Sequence, residues 1–134
     1  MAEVEYLDAL DVISLHPVAL EHGGGAAGVR DVAALEAAVA RPQMAAYYEH
    51  RDLVGQGTLL VGLAVAHPFV DGNKRVALLA TLTFWELIGL TFSGSAQELA
   101  EQLVEIIARG EDRNARIAAV EAWVRENLLP TERT

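Results

Sequence analysis

Cysteine is absent from the 134 residues, which excludes disulfides and thiolate metal sites and fits a reducing compartment. Positive charge is scarce: ten Lys and Arg stand against 19 Asp and Glu, a formal charge of −9. Nucleic acids and anionic membranes reward basic patches, and the cations here form no Lys/Arg-rich block. Direct nucleic-acid binding is therefore disfavoured. Long apolar runs are missing too: residues 59–66 are too few, and 76–92 carry Glu86 and Gly89, whereas a membrane span takes about 20 apolar residues. The acidic N-terminus, Met1-Ala2-Glu3-Val4-Glu5-Tyr6, lacks the basic-then-apolar layout of a secretory signal. The expectation is a cytoplasmic protein with no membrane partner.

What remains is apolar and helix-forming. Apolar residues make up 52% of the chain, aromatics only 6%, and there are four prolines. Together with abundant Ala and Leu, this predicts a single all-α domain over residues 1–134. Leu7, Leu10, Ile13 and Leu15 predict a helix over 5–20, kinked or divided at Pro17. A flexible glycine loop follows to Gly28. Asp31 caps a second helix that ends near Arg41-Pro42, since the residue before proline disfavours the helical region. Residues 44–51 read as an irregular segment or short extended flap, with Tyr47 and Tyr48 candidates for a substrate entrance. Asp52 starts a third helix reaching Ala66, whose glycines 55, 57 and 62 leave room for a close neighbour. The fourth covers 74–89. Ser93 or Ser95 caps a fifth closing at Gly110, and Asp112 starts a sixth with Ile117, Val120, Val124 and Leu128 on one face. Residues 129–134 read as a frayed tail. Trp85 and Trp123 are core candidates. His22, His50, Glu98, Glu101, Glu105, Glu111 and Asp112 read as surface, and His16-Pro17 as structural.

One segment asks for more than a core. His67-Pro68-Phe69-Val70-Asp71-Gly72-Asn73-Lys74-Arg75 lies between the two most apolar helices. A helix starting near Lys74 aims free N–H groups and a partial positive charge into the preceding loop. Gly72 lets that backbone curl into an anion nest, for which phosphate is the natural ligand. Asp71 offers a hard oxygen to Mg²⁺. Asn73 can bond a phosphate oxygen or hold the loop closed. Lys74 and Arg75 can neutralise charge on a transferring group. His67 can take a proton from an attacking hydroxyl, and Phe69 plugs the core and fixes the loop.

The same residues resemble the signature of the Fic/Doc superfamily, His-x-Phe-x-(Asp/Glu)-Gly-Asn-Gly-Arg-x-x-Arg. Lys74 replaces its second glycine and Leu78 its final arginine, the variant of the death-on-curing (Doc) branch. Gly23-Gly24, Val29-Arg30-Asp31, Leu35-Glu36 and Ala40-Arg41-Pro42 look like that branch as well. The resemblance implies a Fic-type bundle of about six helices acting as the toxin of a toxin–antitoxin pair. It implies γ-phosphoryl transfer from Mg²⁺–ATP to a Thr or Ser hydroxyl on a translation factor similar to elongation factor Tu. His67 would be the base, Asp71 the Mg²⁺ ligand, and Gly72, Asn73, Lys74 and Arg75 the phosphate cradle. AMP transfer through the same residues, or partner binding without turnover, are the alternatives. Fic-type self-inhibition uses (Ser/Thr)-x-x-x-Glu-(Gly/Asn); before Glu126-Asn127 the required position holds Ala122. Silencing is therefore expected from a separate antitoxin that lays a helix or tail in an apolar groove by the site.

Overall fold

Asp8 opens the first helix. Its carboxylate accepts from the Asp11 N–H at 2.8 Å while the Asp11 carboxylate accepts from the Asp8 N–H at 2.9 Å, a reciprocal capping box. The computed structural model describes residues 4–108 and 113–131. In it α1 runs over Ala9–Gly23. Pro17 does not divide it: the helix continues and forgoes the hydrogen bond that proline cannot donate.

Asp31 caps α2, Val32–Tyr48, by accepting from the Ala34 N–H at 3.0 Å. The expected stop at Pro42 is corrected here, because α2 passes through Pro42 for another turn and a half; of the stretch over 44–51, expected to be irregular, only residues 49–51 are so. Pro42 is buried on the same face as Leu35, Ala38, Val39 and Ala45, so tertiary burial offsets the local penalty.

The expected third helix is present in pieces: α3 over Leu53–Thr58 capped by Asp52, a tighter 3₁₀ turn over Leu59–Val61, and α4 over Gly62–Ala66. Gly57 does provide the expected close approach. A Cβ there would lie 2.5 Å from Trp85 Nε1 and 2.8 Å from Phe84 Cδ2.

Those two rings belong to α5, Asn73–Leu87, which buries Val76, Ala77, Ala80, Thr81, Phe84 and Trp85. It touches α1, α3, α4 and the 3₁₀ turn. Gly89, at φ 84°, turns the chain after it. Ser95 caps α6, Ala96–Ala108, its Oγ accepting from the Glu98 N–H at 3.0 Å. In α7, Arg113–Arg125, Ile117, Val120 and Val124 are buried as expected. Trp85 is fully buried and Trp123 partly so, its ring 5.4 Å from that of Phe92.

The all-α expectation gains one addition. β1, Leu90–Phe92, pairs antiparallel with β2, Leu128–Pro130, in the register Leu90↔Pro130, Thr91↔Leu129, Phe92↔Leu128. Leu128 therefore sits in a strand, and residues 129 and 130 are paired instead of frayed. The expected boundaries at Gly110 and Asp112 lie outside the described residues, as do Glu111, residues 132–134 and the side chains of His22 and Glu105. Glu98, Glu101 and His50 are exposed as expected. Among the described residues no helix is long and apolar enough to cross a membrane.

Charges fasten α7 to the start of α3. Arg125 donates to both oxygens of Asp52 at 2.8 and 2.9 Å and to Glu121 at 3.0 Å, while Arg51 bridges Glu121 and Glu49. The Arg125 hydrogen bonds, helped by the Gly55 N–H, hold the Asp52 carboxyl below its ordinary value. Asp52 and Glu121 in turn push the Arg125 guanidinium up.

Two stability predictions follow from these contacts. Gly57→Ala should lose about 1–3 kcal/mol by overpacking against Trp85 and Phe84, read as a lower urea midpoint. Asp52→Asn keeps a capping oxygen but breaks the ion pair, and should cost about 0.2–1 kcal/mol at neutral pH, since both side chains are substantially exposed. A carboxyl depressed in the folded state stabilises above its unfolded value of 3.8 and ceases to do so as pH falls through the lower folded value. Denaturation curves of the two proteins should therefore converge in acid.

Candidate active site

His67 ends α4 in the left-handed region, φ 50° and ψ 52°, where a residue with a Cβ is held at a cost. Arg30 supplies the hold: its Nη2 and Nε donate to the His67 carbonyl at 2.6 and 3.2 Å. The His67 side chain is exposed, not turned into the interior.

The chain then dives and returns. Pro68 and Phe69 are buried, Val70 and Asp71 are exposed. The buried stretch needs backbone partners, and residues 28–31 provide them. The Pro68 carbonyl accepts from Arg30 N–H at 2.8 Å and Asp31 N–H at 3.0 Å, and Val70 N–H donates to the Gly28 carbonyl at 3.0 Å, with Val29 and Phe69 as an antiparallel bridge. The extended segment beside this loop thus precedes α2, where a flap following it was expected. The glycine loop, expected to be free, is tied to the motif.

Asn73 closes the turn. Its Oδ1 accepts from the Phe69 N–H at 2.9 Å and its Nδ2 donates to the Phe69 carbonyl at 3.0 Å. Of the two roles open to it, the structure gives it the loop-closing one. Gly72, at φ 76°, caps α5 with no side chain in the way. A Cβ there would approach Leu20 Cδ2 to 3.3 Å, and the conformation itself favours glycine.

The two cations part company. Arg75 turns back to the end of α1, its Nη1 donating to the carbonyls of Ala19 at 2.9 Å and Gly24 at 3.1 Å, and its Nη2 to Gly23 at 3.3 Å. It caps carbonyls that a helix end leaves open, which leaves Nε and part of Nη2 for a ligand. Lys74 is exposed. Phe69 plugs the core as expected and stacks on the His16 ring at 4.0 Å. Tyr47 and Tyr48 are exposed on the last turn of α2, and their ring contact is with each other.

Asp71 Oδ2 accepts from the Ala26 N–H at 2.7 Å, which leaves Oδ1 open. Among the described residues no group of three metal-binding side chains occurs. A single exposed carboxylate fits Mg²⁺, which commonly takes one or two protein carboxylates and completes its shell with phosphate oxygens and water. His16, read from the sequence as structural, is buried and stacked as such; its contact with the loop, like those of Arg30 and Ala26, was not foreseen. For His16 a signal exists: it falls on the buried α1 face with Val12 and Ala19.

Comparison with known proteins agrees with this architecture. The Fic/DOC family model matches residues 6–85, from α1 through nearly all of α5. "Toxin Doc" of Mycolicibacterium smegmatis is 39% identical over 108 residues, covering 78% of this chain and 81% of the relative. "Protein kinase doc" of Escherichia phage P1 is 35% identical over 103 residues, covering 75% and 81%. The chain belongs to the Fic/DOC family.

Asn73→Ala leaves a buried N–H and carbonyl of Phe69 unpaired and should destabilise by about 1–3 kcal/mol. Amide hydrogen exchange should rise first at Phe69 and Val70; unchanged protection there would contradict the loop-closing role.

Proposed function

We propose that the chain is a Doc-type toxin that moves the γ-phosphoryl group of Mg²⁺–ATP to a Thr or Ser hydroxyl of a translation factor, in the manner expected of an elongation factor Tu kinase. The observation that carries this reading is the mount. A loop locked by Asn73 presents His67, Asp71 and Lys74 at the surface beside the open start of α5. Its relative named as a protein kinase supports the phosphoryl-transfer form.

His67 would take the proton of the target hydroxyl as its oxygen bonds to the γ-phosphorus, and ADP would leave as the bond to the β-phosphate oxygen breaks. Backbone N–H groups of residues 72–74, Lys74 and the free Arg75 donors would steady the charge on the transferring group, so positioning and electrostatics carry most of the catalysis. Mg²⁺, held by Asp71 and phosphate oxygens, would neutralise charge on the triphosphate. Leu78 supports γ- over α-phosphoryl transfer. It is partly buried against the core one turn above Lys74, where a cation would otherwise fix the far end of the triphosphate.

A separate antitoxin would silence the site. Along α2 runs a groove of about 560 Å³ lined by alanines 34, 37, 38, 45 and 66 and by Met44, with the charged Arg41 and Glu49 also on its wall. Ala66, on its wall, is the chain neighbour of His67, and a mostly apolar lining with one charge of each sign suits a helix or tail. The acidic body and the absence of a membrane-crossing helix among the described residues accord with action in the cytoplasm on protein targets.

In a bacterial lysate, label from γ-³²P-ATP should appear on one target protein and label from α-³²P-ATP should not. Incorporation of the α label alone would establish AMP transfer instead. His67→Ala should lower transfer about 10²–10⁴-fold while antitoxin binding persists; undiminished growth arrest by that variant would point to binding without turnover.

A further inference from the structure

We propose that His16 is the positioning residue that aims the anion-binding face of loop 71–75, an inference that rests on the phosphate-handling reading of that loop. His16 lies 55 positions before Asp71 in the chain, yet its Nε2 is 2.8 Å from the Asp71 carbonyl oxygen. It is 5% exposed, stacks on Phe69 with 15° between the ring planes, and Nε2 lies 3.6 Å from where a Cβ of Gly72 would be.

The chemistry of this contact has one direction. A carbonyl oxygen only accepts, so Nε2 carries the proton and donates. In a trans peptide the C=O and the following N–H point opposite ways. Fastening the Asp71 carbonyl to α1 therefore turns the Gly72 N–H away from α1. Among the described residues that N–H has no partner. It stands next to the open N–H groups at the start of α5, where they can converge on one anion.

Glycine at position 72 makes such a fastening necessary. With no Cβ it tolerates either orientation of the 71–72 peptide, and the flipped one would replace a donor by a carbonyl oxygen facing the phosphate. Simple core filling at position 16 would need only a flat apolar ring, which Phe supplies as well as His.

That difference is the test. His16→Phe keeps the stack on Phe69 and removes the donor; His16→Gln places an amide N–H close to the position of Nε2. Mg²⁺–ATP affinity is measured by calorimetry, the Gly72, Asn73 and Lys74 amides by ¹H–¹⁵N NMR without nucleotide, and the fold by melting temperature. His16→Phe should melt near the native protein, bind ATP about tenfold or more weakly and shift the Gly72 amide, and His16→Gln should restore both. Native affinity and unmoved amides in His16→Phe overturn the proposal, as does a loss in both variants that follows melting temperature alone. Should the native chain bind no ATP, the proposed function fails, and the amide shifts by themselves decide whether His16 orients the loop.

Discussion

Two hydrogen bonds between the Asn73 side chain and the Phe69 backbone, 2.9 and 3.0 Å long and buried, hold the candidate site in shape. A loop that crosses from α4 to α5 must bury Pro68 and Phe69 while leaving Asp71 outside. Unpaired, the Phe69 peptide would cost its full desolvation. Asn73 satisfies both of its groups at once, and because Asn73 is also the first residue of α5, the bond ties the loop to the start of the helix. The exposed groups of the loop are then fixed by the same atoms that make the core tolerable.

Around that closure each support comes from a different part of the chain. Arg30 holds the left-handed turn at His67, the strand-like 28–31 backs the loop, and Arg75 seals the end of α1 under the glycines. The glycine loop earns its composition here: a Cβ on Gly23 would collide with the Arg75 guanidinium, and one on Gly25 would come within 2.9 Å of the Asp71 side chain. The family resemblance implies a phosphate cradle of Gly72, Asn73, Lys74 and Arg75, with two cations in it. The structure divides the labour, with Arg75 set mainly on backbone and Lys74 left facing outward.

Much of this was legible in the residues. Asp31, Asp52 and Ser95 announce their helices because a side-chain oxygen bonding an N–H two or three positions on is a local event. The motif was legible for the same reason: its groups are adjacent in the chain. What escaped was long-range. Pro42 looked like a stop because its penalty is local, whereas the burial that offsets it comes from other elements. The pairing of 90–92 with 128–130, and the reach of His16, Arg30 and Ala26 to the loop, join residues tens of positions apart with no periodic signature between them.

The measurement closest to the central claim is a crystal structure of the chain with Mg²⁺ and a non-hydrolysable ATP analogue. The γ-phosphate should lie at the start of α5 against the N–H groups of residues 72–74, the metal on Asp71 Oδ1, and the His67 ring beside the γ-phosphorus. An α-phosphate in that place, or a nucleotide bound away from loop 67–75, would contradict that claim.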